Sequence, residues 1–216
     1  MEIKVLRDVL EANELIARQN RQIFDQHGLY VVNLMASPGA GKTSLLERTL
    51  EGLGGEFRMG VITGDVATQL DAERLGRHGV PVLQINTGGE CHLEARMIRR
   101  ALDDFDLENL DVLFIENVGN LICPAEFVLG ADSRVMILST PEGDDKPEKY
   151  PLMFRQSRAL VINKIDLLGM VDFDLERAKA RALSINPELT ILPLSCRTGE
   201  GLEAWFDWLR KEATSR

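Results

Sequence analysis

The sequence predicts an α/β fold: a mostly parallel sheet with helices on both faces and one further helix at the N-terminus. Three observations carry this expectation. Short, nearly continuous apolar runs recur along the 216 residues, as in strands buried on both faces. Amphipathic stretches of helical period separate most of these runs. No internal repeat or low-complexity tract interrupts the alternation.

The first element spans Val5 to His27, where Leu6, Leu10, Ile16, Ile23 and Phe24 fall at helical spacing and Gly28 supplies a stop. Strand candidates follow at Tyr30–Met35, Met59–Ile62, Val80–Ile85, Val112–Ile115, Arg134–Leu138, Ala159–Ile162 and Leu189–Leu194. Between them lie helical stretches at Ser44–Leu53, Gln69–His78, His92–Phe105, Leu175–Ser184 and Leu202–Lys211. His27 and His78, at the ends of predicted helices, read as C-terminal caps. The expected organisation is one structural domain, with residues 1–28 as a helix packed on a body spanning 29–216. Sheets of this kind bind ligands beyond the carboxyl ends of their strands, which directs attention to the residues after each run.

Composition removes several function classes. Apolar residues make up 44% of the chain, too many for a disordered or fibrous protein. Lys and Arg number 25 against 34 Asp and Glu, a net charge of −9, which argues against nucleic acid or an anionic membrane as a partner. No apolar run approaches the roughly 18–20 residues of a membrane span. Met1-Glu2-Ile3-Lys4 lacks the layout of a signal peptide, so a cytoplasmic location is expected. Cys91, Cys123 and Cys196 are odd in number and far apart, which excludes a disulfide framework.

The first strand candidate runs into Ala36-Ser37-Pro38-Gly39-Ala40-Gly41-Lys42-Thr43, and a helix begins at once with Ser44. This is the GxxxxGK[ST] phosphate loop with Ala36 in place of its first glycine. Backbone N–H groups and a helix N-terminus would surround phosphate oxygens, with Gly39 and Gly41 permitting close approach. Lys42 would add a cation at the β- and γ-phosphates, and Thr43 a hydroxyl for Mg²⁺. The fold expected is therefore that of the phosphate-loop (P-loop) NTPases. Val112–Ile115 ends in Glu116-Asn117-Val118-Gly119: Glu116 can hold Mg²⁺, and Gly119 can offer its N–H to the γ-phosphate. Asp65 can also face the metal, although a turn-forming aspartate is an open alternative. Lys42, Thr43 and Glu116 are the catalytic candidates. None of the residues is identified as positioning the attacking water, so slow hydrolysis is expected.

Base choice comes from Asn163-Lys164-Ile165-Asp166, the NKxD motif. The Asp166 carboxylate can accept from both guanine N1–H and the exocyclic amine, the Lys164 stem can pack on the base, and Asn163 can contact N7 and pin the loop. Ser195-Cys196-Arg197 stands where a second base-contacting loop would be. GTP is preferred over ATP.

Cys91 and His92 are adjacent, follow Gly88-Gly89-Glu90, and are expected to open a helix whose dipole would favour the thiolate. With Cys123 they make a donor set suited to Zn²⁺ or Ni²⁺. From these residues alone, ordinary buried cysteines remain the open alternative.

Several strings decide between these readings. Ile62-Thr63-Gly64-Asp65, Asp71-Ala72-Glu73-Arg74, Asn86-Thr87-Gly88-Gly89-Glu90-Cys91-His92-Leu93, the run Glu116 to Pro124 (ENVGNLICP) and Glu142-Gly143-Asp144-Asp145-Lys146 resemble the hydrogenase nickel-incorporation GTPases (HypB), SIMIBI-class relatives of signal-recognition and urease-accessory GTPases. The resemblance runs from the N-terminal helix to the end of the chain. It implies a GTPase that binds GTP and GDP with Mg²⁺, holds Ni²⁺ or Zn²⁺ on Cys91, His92 and Cys123, and helps load nickel into an apo-hydrogenase large subunit. It further implies a nucleotide- and metal-dependent homodimer, with Lys149 reaching nucleotide across it, and a nickel-delivery partner protein. Two departures stand out. The N-terminal cysteine-rich or histidine-rich nickel segment of many members is not seen here, and Arg96 and Arg100 occupy positions where some members carry histidines. A second metal beside the first is not expected. The alternatives are a GTPase chaperone for another nickel or cobalamin enzyme, and a non-catalytic regulator that binds metal and nucleotide.

Overall fold

The structure, a computed structural model, describes the backbone of residues 2–65 and 69–215 and, within those ranges, the side chains from Val9 onward. The side chains behind the reading of Met1–Lys4, and Leu6 of the first predicted stripe, lie outside the described residues. In chain order the elements are α1 (Glu2–Gln26), β1 (Tyr30–Ala36), α2 (Lys42–Leu53), β2 (Met59–Asp65), α3 (Leu70–Gly76), β3 (Val82–Asn86), α4 (Ala95–Ala101), β4 (Val112–Glu116), α5 (Cys123–Glu126), β5 (Ser133–Ser139), α6 (Lys146–Lys149), α7 (Pro151–Gln156), β6 (Ala159–Asn163), α8 (Leu175–Ile185), β7 (Thr190–Pro193) and α9 (Leu202–Thr214). Among the described residues the strands form one sheet in the order β3-β2-β4-β1-β5-β6-β7. Every neighbouring pair is parallel, so the mostly parallel sheet expected is parallel throughout.

Strand β1 shows why a continuous apolar run is needed here. Val32, Leu34 and Ala36 join the core under α2 and α9, where Trp205 and Leu46 are fully buried. Val31 joins the opposite core against Phe24 of α1 and Ile98 of α4. Met35 packs beside Met153 and Phe154 of α7 and Ala178 of α8. With both faces covered, each aliphatic side chain contributes about 1.5–3 kcal/mol by leaving water. The order of the strands reverses around β1, which puts a crevice at its carboxyl end.

Helix α1 meets the body through a less apolar face than its sequence stripe suggests. Asn13 and Asn20 are buried alongside Ala17 and Phe24. The Asn13 amide donates to Val128 O at 2.8 Å and its Oδ1 accepts from Ala95 N at 2.8 Å. Asn20 donates to Ala95 O and Leu129 O at 2.9 and 3.1 Å. Both asparagines thus satisfy backbone groups at the start of α4 and on the loop before β5, which an apolar face would leave unpaired.

Two expectations are corrected. The helix predicted over His92–Phe105 begins at Ala95, because Leu93 turns inward to pack against Gly64 instead of continuing a helical face. Cys91 and His92 therefore lie on a loop and receive no helix dipole. Several strands also run further than their apolar runs: β2 ends on Asp65, β4 on Glu116 and β6 on Asn163, each a polar residue at the carboxyl edge. Among the described residues no helix is long and apolar enough to cross a membrane.

Candidate functional site

The loop between β1 and α2 sits at the crevice. Gly41 caps α2 with φ 107°, a left-handed conformation that L side chains rarely adopt. A Cβ there would also collide with the Asn163 amide. That amide is the pin between loops: Asn163 Nδ2 donates to Ala40 O at 2.9 Å, and its Oδ1 accepts from Lys164 N at 2.7 Å and Cys196 N at 3.2 Å. Of the two roles open to Asn163, pinning is the one the geometry displays. Lys164 has φ 63° and its Nζ reaches back to donate to Gly39 O at 2.7 Å. Its stem thereby spans the gap between the two loops.

A cavity of about 520 Å³ opens between these loops, lined by Gly39, Ser44, Arg48, Lys164, Asp166 and Arg197 among others. Asp166 Oδ1 accepts from Ser195 Oγ at 2.6 Å, and the Arg197 guanidinium stands 3.9 Å from its other oxygen. Ser195 is fully buried, so it orients Asp166 and does not itself line the cavity. Cys196 is a buried loop residue whose carbonyl accepts from Arg48 Nε at 2.8 Å. Burial pushes its thiol up to about 11, which leaves it inert at neutral pH.

A second cavity of about 430 Å³ continues from the first, lined by Lys42, Thr43, Asp65, Glu116 and Gly119. Thr43 Oγ1 donates to Glu116 Oε1 at 2.8 Å, while Glu116 Oε2 is buried with no hydrogen-bond partner. Burial pushes this carboxyl up to about 7 despite the opposing pull of Lys42 and the Thr43 hydroxyl. A buried carboxylate with an orphaned oxygen, beside a hydroxyl and Asp65, is a donor set that fits Mg²⁺. Gly119 lies so close to the loop that a Cβ would stand 3.0 Å from Pro38 Cα, a contact that would require Pro38 to shift.

Three residues here were missed by sequence reasoning. Asp71 and Arg74 line the second cavity, where Arg74 pairs with Glu47 at 2.6 Å and Asp71 at 3.3 Å. Glu142 accepts from Ser37 Oγ of the phosphate loop and from the Ser139 N–H at 2.7 Å, bracing the loop against the end of β5. All three stand in strings quoted above for their resemblance, yet only the tertiary structure shows what they touch.

The thiol and imidazole candidates come together at the neighbouring edge. Ligand atoms of Cys91, His92 and Cys123 all lie within 4.8 Å of one another. The two Sγ atoms are 2.8 Å apart, and His92 Nδ1 is 3.7 Å from Cys91 Sγ. The His92 ring stacks at 3.9 Å on Phe127, and burial lowers its pKa, which favours the neutral, ligating imidazole. The shared hydrogen bond with Cys91, with burial second, raises the Cys123 thiol. Two thiols and an imidazole form a soft donor set of the kind that Ni²⁺ and Zn²⁺ accept. Arg96 is paired with Glu94 at 2.5 Å and stands 4.0 Å from Glu90. Lys149, on α6, is paired with Asp145 at 2.5 Å and lines neither cavity.

A family model described as the CobW/HypB/UreG nucleotide-binding domain matches residues 30–193. The hydrogenase maturation factor HypB of Rhizobium leguminosarum bv. viciae is 46% identical over 214 residues, covering 99% of this chain and 72% of that protein. The crystal structure of HypB from Archaeoglobus fulgidus superposes with a TM-score of 0.89 at 44% identity, covering 94% of this chain and 99% of that one. That of HypB from Helicobacter pylori in complex with nickel gives 0.90 at 39%, covering 94% and 96%. Phosphate loop, guanine-type loop and thiol–imidazole cluster thus occur together in a chain that belongs to the CobW/HypB/UreG family, among its HypB hydrogenase maturation factors.

Proposed function

We propose that this protein binds GTP, hydrolyses it slowly to GDP and phosphate, and carries Ni²⁺ as cargo toward an apo-hydrogenase large subunit. The observation that carries the reading is the single segment running from the end of β4: it holds Glu116 and Gly119 at the phosphate cavity and Cys123 in the thiol–imidazole cluster.

Each residue has a role that follows from its position. Asp166, oriented by Ser195, would accept from the guanine edge, and the Lys164 stem would cover the base face. Gly39 to Ser44 would wrap the phosphates with backbone N–H groups, and Lys42 would neutralise charge that grows on the transferring phosphoryl group. Thr43, Glu116 and Asp65 would hold Mg²⁺, whose chemistry is to offset phosphate charge. Cys91, His92 and Cys123 would hold the cargo as two thiolates and a neutral imidazole; the same donors accept Zn²⁺, with nickel as the cargo proposed.

The assembly belongs to the same proposal. Lys149 is exposed on α6 and would reach the nucleotide of a second copy in a homodimer, and a nickel-delivery protein would supply the ion. The contacts of Asn13 and Asn20 support residues 1–28 and 29–216 acting as one structural domain. A cytoplasmic site of action is part of this reading. Phosphate release from GTP, measured on the purified chain and on Lys42→Ala, tests the catalytic half. Turnover should fall on the order of 100-fold or more in the variant; equal turnover would remove Lys42 from the reaction.

A further inference from the structure

Between the phosphate cavity and the thiol–imidazole cluster lies one side chain that touches both loops. Asn117 follows Glu116 directly, is fully buried, and continues the β4–β1 ladder by donating its N–H to Leu34 O at 3.0 Å. Its Oδ1 accepts twice: from Val118 N at 3.0 Å and from Leu93 N at 3.1 Å. Val118 precedes Gly119, the residue set against the phosphate loop. Leu93 follows His92. The Asn117 Nδ2 is held on its far side by Asn33 Oδ1 at 3.2 Å, so the amide is fixed from the sheet and reaches out to both loops.

Among the described residues, the loop bearing Cys91 and His92 is also tied by Thr87 to Glu90 and by the His92 ring to Phe127, and its main chain is held at Leu93. Leu93 is buried, and its side chain covers Gly64 so closely that a Cβ there would lie 2.7 Å from it. Gly64 itself precedes Asp65 at the phosphate cavity. Loop 91–94 is therefore gripped at Leu93 from two directions, by main chain and by side chain, and both grips originate at residues adjoining the phosphate cavity.

We infer that Asn117 is the positioning residue that couples nucleotide state to the geometry of the metal ligands. A γ-phosphate that draws Gly119 toward the phosphate loop also moves Val118 N, which shares one acceptor oxygen with Leu93 N. Any shift or rotation of that oxygen is felt at Leu93, one residue from His92 and two from Cys91. Cys123, on the other side of the cluster, moves with the Gly119 segment itself. The pair of loops thus separates or closes according to whether γ-phosphate is present. This rests on reading the two sites as a guanine-nucleotide site and a nickel site.

The experiment compares Ni²⁺ dissociation constants, measured against a chromophoric chelator, in the GDP form and in the form holding a non-hydrolysable GTP analogue. The wild-type ratio should depart from one, in the range of about 5- to 150-fold usual for coupled sites. Asn117→Ala, which removes the shared acceptor, should bring the ratio to within about twofold of one. Asn117→Asp keeps an acceptor oxygen for both amides and should preserve the ratio. Hydrogen exchange at the Leu93 amide, measured without metal, should differ between the two nucleotide forms of the wild type. Equal Leu93 protection in both forms overturns the proposal even if the alanine variant fails to fold. So does a folded Asn117→Ala chain with the wild-type ratio. A wild-type ratio of one, with Ni²⁺ binding still lost in Cys123→Ser, overturns the coupling and leaves both sites standing. Failure to bind Ni²⁺ or GTP at all instead overturns the reading beneath it.

Discussion

At the guanine end of the cleft, Asn163 makes three hydrogen bonds, two of them to other loops, Lys164 is tied to Gly39, and Asp166 is tied to Ser195. At the thiol–imidazole edge the three candidate ligands touch one another, with Phe127 beside the His92 ring and Asn120 beside Cys123 as neighbours among the described residues. Cys91 is exposed, Cys123 is half-buried, and His92 Nε2 is buried without a partner. The contrast fits the roles proposed for the two places. A base-reading site gains specificity when its acceptors are already aimed, because reorganisation on binding is then small. A cargo site must release its ion, which is easier when its ligands come from two loops that can part. Rigidity is concentrated where discrimination is needed, and looseness where transfer is needed.

That comparison can be broken most sharply at the metal edge. With few supporting contacts, the ligands themselves should carry nearly all the affinity there. Cys91→Ala or Cys123→Ala should weaken Ni²⁺ binding by more than the about 10- to 100-fold that losing an outer-shell partner costs. Measured without metal, GTP affinity should stay within about twofold, since neither thiol lines the nucleotide cavities. Chelator competition and nucleotide titration check the two halves.

Next in size is the base reader. Asp166→Asn removes a charged acceptor whose hydrogen bonds are each worth about 1.5–3 kcal/mol. That corresponds to about 10- to 150-fold in GTP affinity, with a gain for xanthosine triphosphate, whose 2-oxo group can accept from the new amide. Unchanged GTP affinity would remove Asp166 from base recognition.

The phosphate cavity should show the effect of its buried acid in pH. Burial raises Glu116 to about 7, so below that pH the carboxyl is protonated in the free site and must lose its proton to hold Mg²⁺. Mg²⁺ affinity of the nucleotide complex should therefore climb with pH by up to about tenfold per unit below 7 and level off above it. Glu116→Gln should flatten the profile. A wild-type profile level from pH 5 to 8 would contradict the role given to Glu116.

The smallest effect sharpens the idea of an already aimed site. Ser195→Ala leaves Asp166 in place but removes its orienting bond, worth about 0.5–1.5 kcal/mol, or about 2- to 10-fold in GTP affinity. A loss as large as that of Asp166→Asn would mean that Ser195 contacts nucleotide directly.

Much of the framework was legible in the sequence for a physical reason. Strands covered on both faces must be apolar along their length, so all seven runs stand out within a few residues. Their carboxyl ends were less visible, since Asp65, Glu116 and Asn163 are polar there for the sake of the cleft. The short helices α5, α6 and α7 span only four to six residues, too few for a helical period to register. Ile23 and Phe24 of the predicted α1 stripe do face the body, but Asn13 and Asn20, buried to satisfy backbone groups, look like solvent residues in a sequence. Candidate site residues with chemical signatures, such as Lys42 and Asp166, stand out by motif alone, whereas Cys91 does so only through the family resemblance. Asn117 and Glu142 were not, because their work is done on neighbours 24 and 105 residues away in sequence.

Hydrolysis at the aimed site is proposed to drive release at the loose one. The direct measurement is transfer of Ni²⁺ from the loaded protein to an apo-hydrogenase large subunit, followed with GTP and with a non-hydrolysable analogue. Transfer that proceeds with GTP, stalls with the analogue and disappears in Cys91→Ala is the predicted result. Equal transfer with both nucleotides would contradict the account.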